Sequence, residues 1–171
     1  MFVERLQCTN FAVLTANRES WNGPSWIIGC SAFAAMEHHL NHISFLIIQS
    51  AIQVHRALGP GLLESIYRAC MIYELRKRGL KVVAEQLVPM HYADLVFDGG
   101  YRLDLLVEDQ VLVELKSVEL ILPVHHAQLL SYLRLTGKPL GLLINFNVPV
   151  LIKGVTRKMN GCPTAALNTQ K

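Results

Sequence analysis

The stretch YRLDLLVEDQVLVELKS, residues 101–117, decides the fold because it is typical of two strands joined by a tight turn. Apolar and polar side chains alternate on both sides of the turn residues, 108–110, and this alternation predicts strands with one face buried. A three-residue turn pairs Val107 with Val111. That pairing fixes the register of the hairpin, since a slip of one residue would exchange its two faces.

Three charged residues fall on one face of this hairpin. Counting back from the turn places Asp104 opposite Glu114, and alternation adds Lys116 to the same face. The other face is expected to carry the apolar side chains Leu103, Leu105, Val107, Val113 and Leu115. The predicted hairpin therefore has one apolar face and one face with a charged group.

This charged group has the composition of a metal site. Opposed carboxylates repel each other, and Mg²⁺, which prefers carboxylate oxygens and water, removes the conflict. Lys116 is then suited to orient or deprotonate a metal-bound water, so the pattern indicates metal-assisted hydrolysis of a phosphate ester. The alternative is a solvated polar face on which Lys116 forms an ordinary ion pair, worth at most about 1 kcal/mol.

The segments around the hairpin predict an α/β fold. Apolar residues that recur every three or four positions indicate helices, whereas β-branched or alternating runs indicate strands. The predicted helices cover 43–57, 61–78 and 123–136, and the predicted strands cover 81–92, 95–97, 101–107, 111–118, 140–146 and, at an edge, 150–155. Turns are expected at 98–100 and 108–110. This order indicates a mixed central sheet flanked by helices.

The chain is expected to have three regions. Residues 1–42 contain the turn-rich WNGPSW and no persistent periodicity, which predicts a weakly ordered appendage. Met36, just before the first predicted helix, offers an alternative start. Residues 43–158 are expected to form the folded domain, and residues 159–171 a tail.

The composition excludes several classes of protein. A chain of 171 residues with 51% apolar residues and a net charge of +3 is not disordered over most of its length. It has no run of about 20 apolar residues and no continuous apolar signal core, so we expect neither a membrane segment nor a signal peptide. The 4 cysteines form no CxxC pair, which argues against a disulfide framework or a zinc site and favours the reducing cytoplasm.

Two helical motifs add polar residues to the predicted site. In GLLESIY, Glu64 and Tyr67 are three apart and share a helical face, and in HHAQLLSYL, Gln128 and Tyr132 are four apart. Each motif has a structural alternative. Glu64 in a first helical turn is favoured by the helix dipole, and Gln128 beside Tyr132 is typical of a surface amide next to a half-buried ring.

Taken together, these residues resemble the PD-(D/E)XK nuclease superfamily, and Gln128 with Tyr132 resembles the QxxxY motif of its RecB-like branch. GLLESIY is similar to the signature of the GxxExxY proteins, and the resemblance extends from about residue 43 to about residue 157. It implies a restriction-endonuclease-like core in the order αβββαβ. The usual Pro-Asp of the superfamily is Leu103-Asp104 here, which removes no ligand.

The resemblance also implies a role for each site residue. It implies three metal ligands, Glu64, Asp104 and Glu114, for Mg²⁺ or, as a substitute, Mn²⁺. Lys116 would lie at the water, and Gln128 would support the site. Tyr67 and Tyr132 would lie behind the ligands or face the substrate.

Other polar residues have two interpretations each. His55 is expected either near the metal or as a helix-face histidine with a local partner. His125 and His126 are expected either at a phosphate or at a solvated helix start. Arg68 belongs to a set of basic residues that either contact phosphates or form a solvated charged surface.

The expected function is that of a Mg²⁺-dependent nuclease that hydrolyses phosphodiester bonds in DNA, with RNA as the less favoured substrate. The alternative is a non-catalytic module that keeps the fold to bind nucleic acid or protein. A module released from catalysis is free to lose a ligand or the lysine, and this sequence retains all four residues, Glu64, Asp104, Glu114 and Lys116. No membrane partner is expected.

Overall fold

The computed structural model describes residues 25–160, with side chains from residue 35 onward except at position 91. The chain divides into two units, Met1–His38 with Cys162–Lys171, and His39–Gly161. The second unit contains the sheet and the candidate site. The predicted tail, apart from its first two residues, and most of the predicted appendage lie outside the described residues.

The elements follow one another in the predicted order of helices and strands. They are α1 (Ser25–Leu58), α2 (Glu64–Lys77), β1 (Val82–Tyr92), β2 (Leu95–Val107), β3 (Val111–Lys116), α3 (Pro123–Thr136), β4 (Leu140–Asn145), a 3₁₀ turn (Leu151–Gly154) and β5 (Val155–Met159). Within residues 25–160, no helix combines the length and the apolar character that crossing a membrane requires.

The five strands form one mixed sheet in the order β1-β2-β3-β4-β5. All neighbours are antiparallel except β3 and β4, which are parallel because α3 carries the chain back between them. The expectation of an α/β fold with a mixed sheet and flanking helices is confirmed.

Two apolar clusters cover the two faces of the sheet. One contains Leu105 and Val113 with apolar residues of α1 and α2, and the other contains Leu106 and Leu112 with residues of α3. Because neighbouring residues of β2 and β3 alternate between the clusters, both faces are buried and the strands are almost continuously apolar. Four residues of the apolar stripe of the first predicted helix lie in the first cluster, Ile43, Ile47, Ala51 and Val54, whereas Leu58 at its end is exposed.

The first helix begins earlier than the sequence predicts. α1 starts at Ser25 rather than at position 43. Side chains 35–39 are all exposed, so these five residues have no buried face and no apolar periodicity, and burial along the helix begins at Leu40. A search for an amphipathic stripe does not find such a segment.

The predicted turn at 98–100 is wrong, since β2 runs through these residues. The chain turns instead at Ala93, whose φ is 48°. The register between β1 and β2 shifts next to Pro89, which has no N–H to donate to the ladder. Residues 98–100 form a bulge opposite this proline, and glycines are common in bulges as well as in turns.

Two smaller expectations are also wrong. The predicted edge strand at 150–155 is a 3₁₀ turn over Leu151–Gly154, and the edge strand β5 begins at Val155. Leu103 packs with Leu106 and not in the cluster that holds Leu105. Leu103 is still paired with Gln86 of β1, but the pleat is interrupted next to this pair, where Glu85 has a φ of 51°.

Gly141 allows α3 to lie close to β4. A Cβ at this position would lie 2.9 Å from Leu129 Cδ1 and 3.0 Å from Leu133 Cδ1. We therefore expect Gly141→Ala to overpack the core and to lower the free energy of unfolding by about 1–3 kcal/mol in urea denaturation. Gly99→Ala is the control, because nothing lies within 4 Å of a Cβ at Gly99. Equal stability of the two variants would contradict this account of the packing.

Candidate active site

The hairpin of β2 and β3 has the predicted register. Val107 pairs with Val111 and Leu105 with Val113. The turn at 108–110 places two residues, Glu108 and Asp109, at φ values of 52° and 55°. The register therefore brings Asp104 and Glu114 to neighbouring positions, and both side chains are buried, with 8% and 4% of their surface exposed.

Asp104 is held by hydrogen bonds at both carboxylate oxygens. The backbone N–H of Leu115 donates to Oδ2 at 2.9 Å, and the guanidinium of Arg68 donates to Oδ1 at 2.9 Å. The first bond comes from the neighbouring strand and the second from α2. Because both donors lie on elements of the folded core, the orientation of Asp104 is fixed by the fold.

Glu114 and Lys116 form a close pair on β3, with Lys116 Nζ 2.6 Å from Glu114 Oε1. Burial, followed by the negative charge of Asp104, raises the pKa of Glu114 to about 7, although the hydrogen bond from Lys116 opposes the shift. Burial lowers the pKa of Lys116, but the hydrogen bond and charge of Glu114 outweigh it, and the net shift is upward. Lys116 is therefore a cation at neutral pH.

Glu64 is the first residue of α2. Burial and the charge of Asp104 raise the pKa of Glu64, whereas Lys116 and Arg68 act in the opposite direction. These mutual effects place the five side chains in one electrostatic group. We call Glu64, Asp104, Glu114, Lys116 and Arg68 the carboxylate cluster.

Arg68 is the member of the cluster that the sequence analysis did not assign to the site. Its guanidinium lies 2.9 Å from Asp104 and 3.8 Å from Glu64, and its side chain is only 15% exposed. The spacing of four residues between Glu64 and Arg68 is a local signal that could have indicated this pair. A second missed residue is Glu85 of β1, which lies 3.3 Å from Arg68 and 3.3 Å from Arg102.

The two α3 residues of the predicted site bond to each other. Gln128 Nε2 donates to Tyr132 Oη at 2.7 Å, and Tyr101 packs edge-on against Tyr132. Burial raises the pKa of Tyr132 against the effect of the Gln128 hydrogen bond, and the charge of Glu114 adds to the increase. Tyr132 is therefore close enough to the carboxylate cluster to respond to its charge.

Tyr67 is fully buried, and its expected place behind the ligands or facing the substrate stays a prediction. Its hydroxyl donates to Gly59 O at 2.7 Å and accepts from the N–H of Leu62 at 3.1 Å. Ser117 Oγ donates to Leu62 O at 2.6 Å. These bonds fix the loop from which Glu64 begins α2.

Two of the predicted histidines have hydrogen-bond partners, whereas the buried Nδ1 of His126 has none in the described part of the chain. His55 Nε2 lies 2.8 Å from Val148 O, and no contact joins it to the carboxylate cluster within the described part of the chain. This partner lies 93 positions away in the sequence, and the role of His55 stays a prediction. His125 Nδ1 accepts from the N–H of Leu122 at 3.1 Å and caps α3.

Among the described side chains, no group of three or more His, Cys, Asp or Glu is arranged to hold a metal ion. The expected ligands are paired with Arg68 and Lys116 instead. The donor set nevertheless fits Mg²⁺, because it consists of carboxylate oxygens. Burial, followed by the negative charge of Asp104, raises the pKa values of Glu64 and Glu114, and a divalent cation would lower both pKa values.

The chain belongs to the PD-(D/E)XK nuclease superfamily, whose family model matches residues 41–158. The matched segment contains every residue of the carboxylate cluster. Members of this superfamily are generally nucleases and typically use divalent metals such as Mg²⁺. No curated protein and no solved structure is significantly similar to the chain.

The raised pKa of Glu114 makes stability depend on pH. The folded chain holds this proton up to about pH 7, whereas the ordinary value is 4.5, so wild-type stability falls as pH rises through this window. Glu114→Gln removes the ionisation. We expect the free energy of unfolding of Glu114→Gln, measured by urea denaturation in EDTA, to rise relative to that of wild type between pH 4.5 and 7. The rise should reach up to about 3 kcal/mol.

Glu119→Gln is the control for this measurement, because Glu119 is an exposed carboxylate that closely follows the same strand. The free energy of unfolding of Glu119→Gln should depend on pH in the same way as that of wild type. If the difference in the free energy of unfolding between Glu114→Gln and wild type stays constant from pH 4.5 to pH 8, the upward shift of the Glu114 pKa is contradicted.

Tyr67→Phe removes the hydroxyl that bonds Gly59 and Leu62 and leaves these backbone groups without that partner. We expect a loss of about 1–3 kcal/mol in the free energy of unfolding. Tyr73→Phe on the same helix is the control, since the Tyr73 side chain is 66% exposed. If the two variants unfold at the same urea concentration, the hydroxyl does not stabilise the loop.

Proposed function

We propose that this protein is a divalent-metal-dependent nuclease that hydrolyses phosphodiester bonds, with DNA as the first candidate substrate and RNA as the second. The observation that carries the proposal is the convergence of Asp104, Glu114 and Lys116 at neighbouring positions of β2 and β3. Membership in the PD-(D/E)XK nuclease superfamily supports it. Glu64 adds a third carboxylate from α2.

The carboxylates of Glu64, Asp104 and Glu114 would hold Mg²⁺, with Mn²⁺ as a substitute. The metal, when bound, supplies an acidified water and offsets negative charge on the phosphate. Asp104 is already oriented by the Leu115 N–H. Asp104 therefore faces the site without any change in the conformation of β2.

Lys116 acts as a cation rather than as a base, because Glu114 keeps its pKa high. Its ammonium group orients the attacking water through a hydrogen bond and stabilises negative charge that develops on the phosphate. Gln128 holds the hydroxyl of Tyr132. This pair supports the α3 side of the site.

Two narrower assignments come from the sequence. GLLESIY supports membership in the GxxExxY group within the superfamily. The absence of a CxxC pair among the cysteines supports a cytoplasmic location, where thiols stay reduced.

The test is a nuclease assay of the full chain on plasmid, linear and single-stranded DNA and on RNA, with Mg²⁺ or Mn²⁺. We expect Asp104→Asn and Lys116→Met each to reduce the cleavage rate by at least about 100-fold, because each removes a group required in the transition state. Thermal unfolding with and without the metal provides a second measurement, and Asp104→Asn should lose the metal-dependent increase.

The matched controls are Asp109→Asn and Lys138→Met. These residues form another ion pair, with Lys138 Nζ 2.7 Å from Asp109 Oδ1, and Asp109 is exposed. Both controls should cleave at the wild-type rate. Cleavage that survives Asp104→Asn and Lys116→Met would contradict the proposal. Nucleic-acid or protein binding without cleavage or metal-dependent stabilisation would favour the non-catalytic module.

A further inference from the structure

Arg68 occupies the centre of a group of three carboxylates. One guanidinium nitrogen lies 2.9 Å from Asp104 Oδ1 and 3.8 Å from Glu64 Oε1, and the other lies 3.3 Å from Glu85 Oε1. The side chain is only 15% exposed. Two of its partners, Asp104 and Glu64, are also ligands in the proposed metal site.

A metal and Arg68 would offset the same negative charge. A divalent cation at Asp104 and Glu64 would lie next to the guanidinium, and like charges at such short range repel strongly in a partly buried site. Asp104 does not need Arg68 for its orientation, because the Leu115 N–H holds the other oxygen. Removing the guanidinium therefore leaves this ligand in place and removes a competing charge.

Glu85 gives Arg68 a second anchor outside the expected ligand set. It lies on the edge strand β1, its side chain is 47% exposed, and it bridges Arg68 and Arg102 at 3.3 Å each. The Arg68 guanidinium can therefore release Asp104 and still keep an ion pair. Without Glu85, its remaining carboxylate partners would be Glu64 and Asp104 among the described residues.

We propose that Arg68 is a built-in counter-cation that competes with the divalent metal for Asp104, and that Glu85 retains the guanidinium when the metal binds. Together the two residues set the metal concentration at which the site fills. The inference rests on the proposed function, since it requires the metal to bind at the carboxylate cluster. It identifies Arg68 and Glu85 as positioning residues that act through Asp104.

The experiment measures MnCl₂ binding to the full chain by isothermal titration calorimetry, without nucleic acid. We expect Arg68→Gln to bind Mn²⁺ about tenfold more tightly than wild type, a coupling of ordinary size for two linked sites. Glu85→Gln should bind about threefold more weakly, because Arg68 then pairs more fully with Asp104. The double variant should match Arg68→Gln, because the proposal has Glu85 act on the metal site through Arg68 and not through its second partner, Arg102.

Arg76→Gln is the matched control. It removes the same charge from an exposed position on the same helix and should bind Mn²⁺ within about twofold of wild type. If Arg68→Gln binds no more tightly than this control, the competition is refuted. If Glu85→Gln weakens binding equally with and without Arg68, its role as the anchor of Arg68 is refuted.

Asp104→Asn separates this inference from the proposed function. Loss of Mn²⁺ binding in Asp104→Asn together with unchanged binding in Arg68→Gln refutes only the competition. Wild-type binding by Asp104→Asn refutes the metal site itself, and the competition with it. If Arg68→Gln does not fold, Glu85→Gln still tests the proposal, because the half-exposed Glu85 side chain is not needed for packing. Unchanged Mn²⁺ affinity in Glu85→Gln overturns the proposal.

Discussion

The buried hydrogen bond from the Leu115 N–H to Asp104 Oδ2 connects the fold to the site. It lies just beyond the last paired residues of β2 and β3, Leu105 and Val113. Where the backbone hydrogen bonds between β2 and β3 end, the Asp104 carboxylate therefore takes the place of a backbone carbonyl as the acceptor. The register of the two strands determines where this carboxylate lies. A slip of one residue would move Asp104 to the opposite face and bury a leucine in its place.

This arrangement buries two carboxylates close to each other, which is electrostatically unfavourable. Asp104 and Glu114 are neighbours in a site from which water is mostly excluded, and each is paired with a cation, Arg68 or Lys116. The pairing is incomplete, because the pKa of Glu114 remains raised to about 7. A buried carboxylate with a raised pKa and a charged partner marks a candidate functional site.

Local patterns predicted the hairpin, and contacts distant in sequence account for most of what they missed. Alternation and a short turn were sufficient for the register at Val107 and Val111, because both signals lie within one hairpin. The Arg68–Asp104 bond joins residues 36 positions apart, so no local pattern could indicate it. The Asp-Gly-Gly sequence at 98–100 predicts a turn rather than a bulge, because the effect of Pro89 on the opposite strand depends on the pairing itself.

Leu62 joins two parts of the site that lie far apart in the sequence. Its N–H bonds to the Tyr67 hydroxyl, and its carbonyl accepts from Ser117, the residue after Lys116. The segment that leads into Glu64 and the residue that follows Lys116 are therefore tied to each other through one leucine backbone. Local opening at Leu62 would break both bonds, so hydrogen exchange at the Leu62 amide would report on the start of α2 and the end of β3 together.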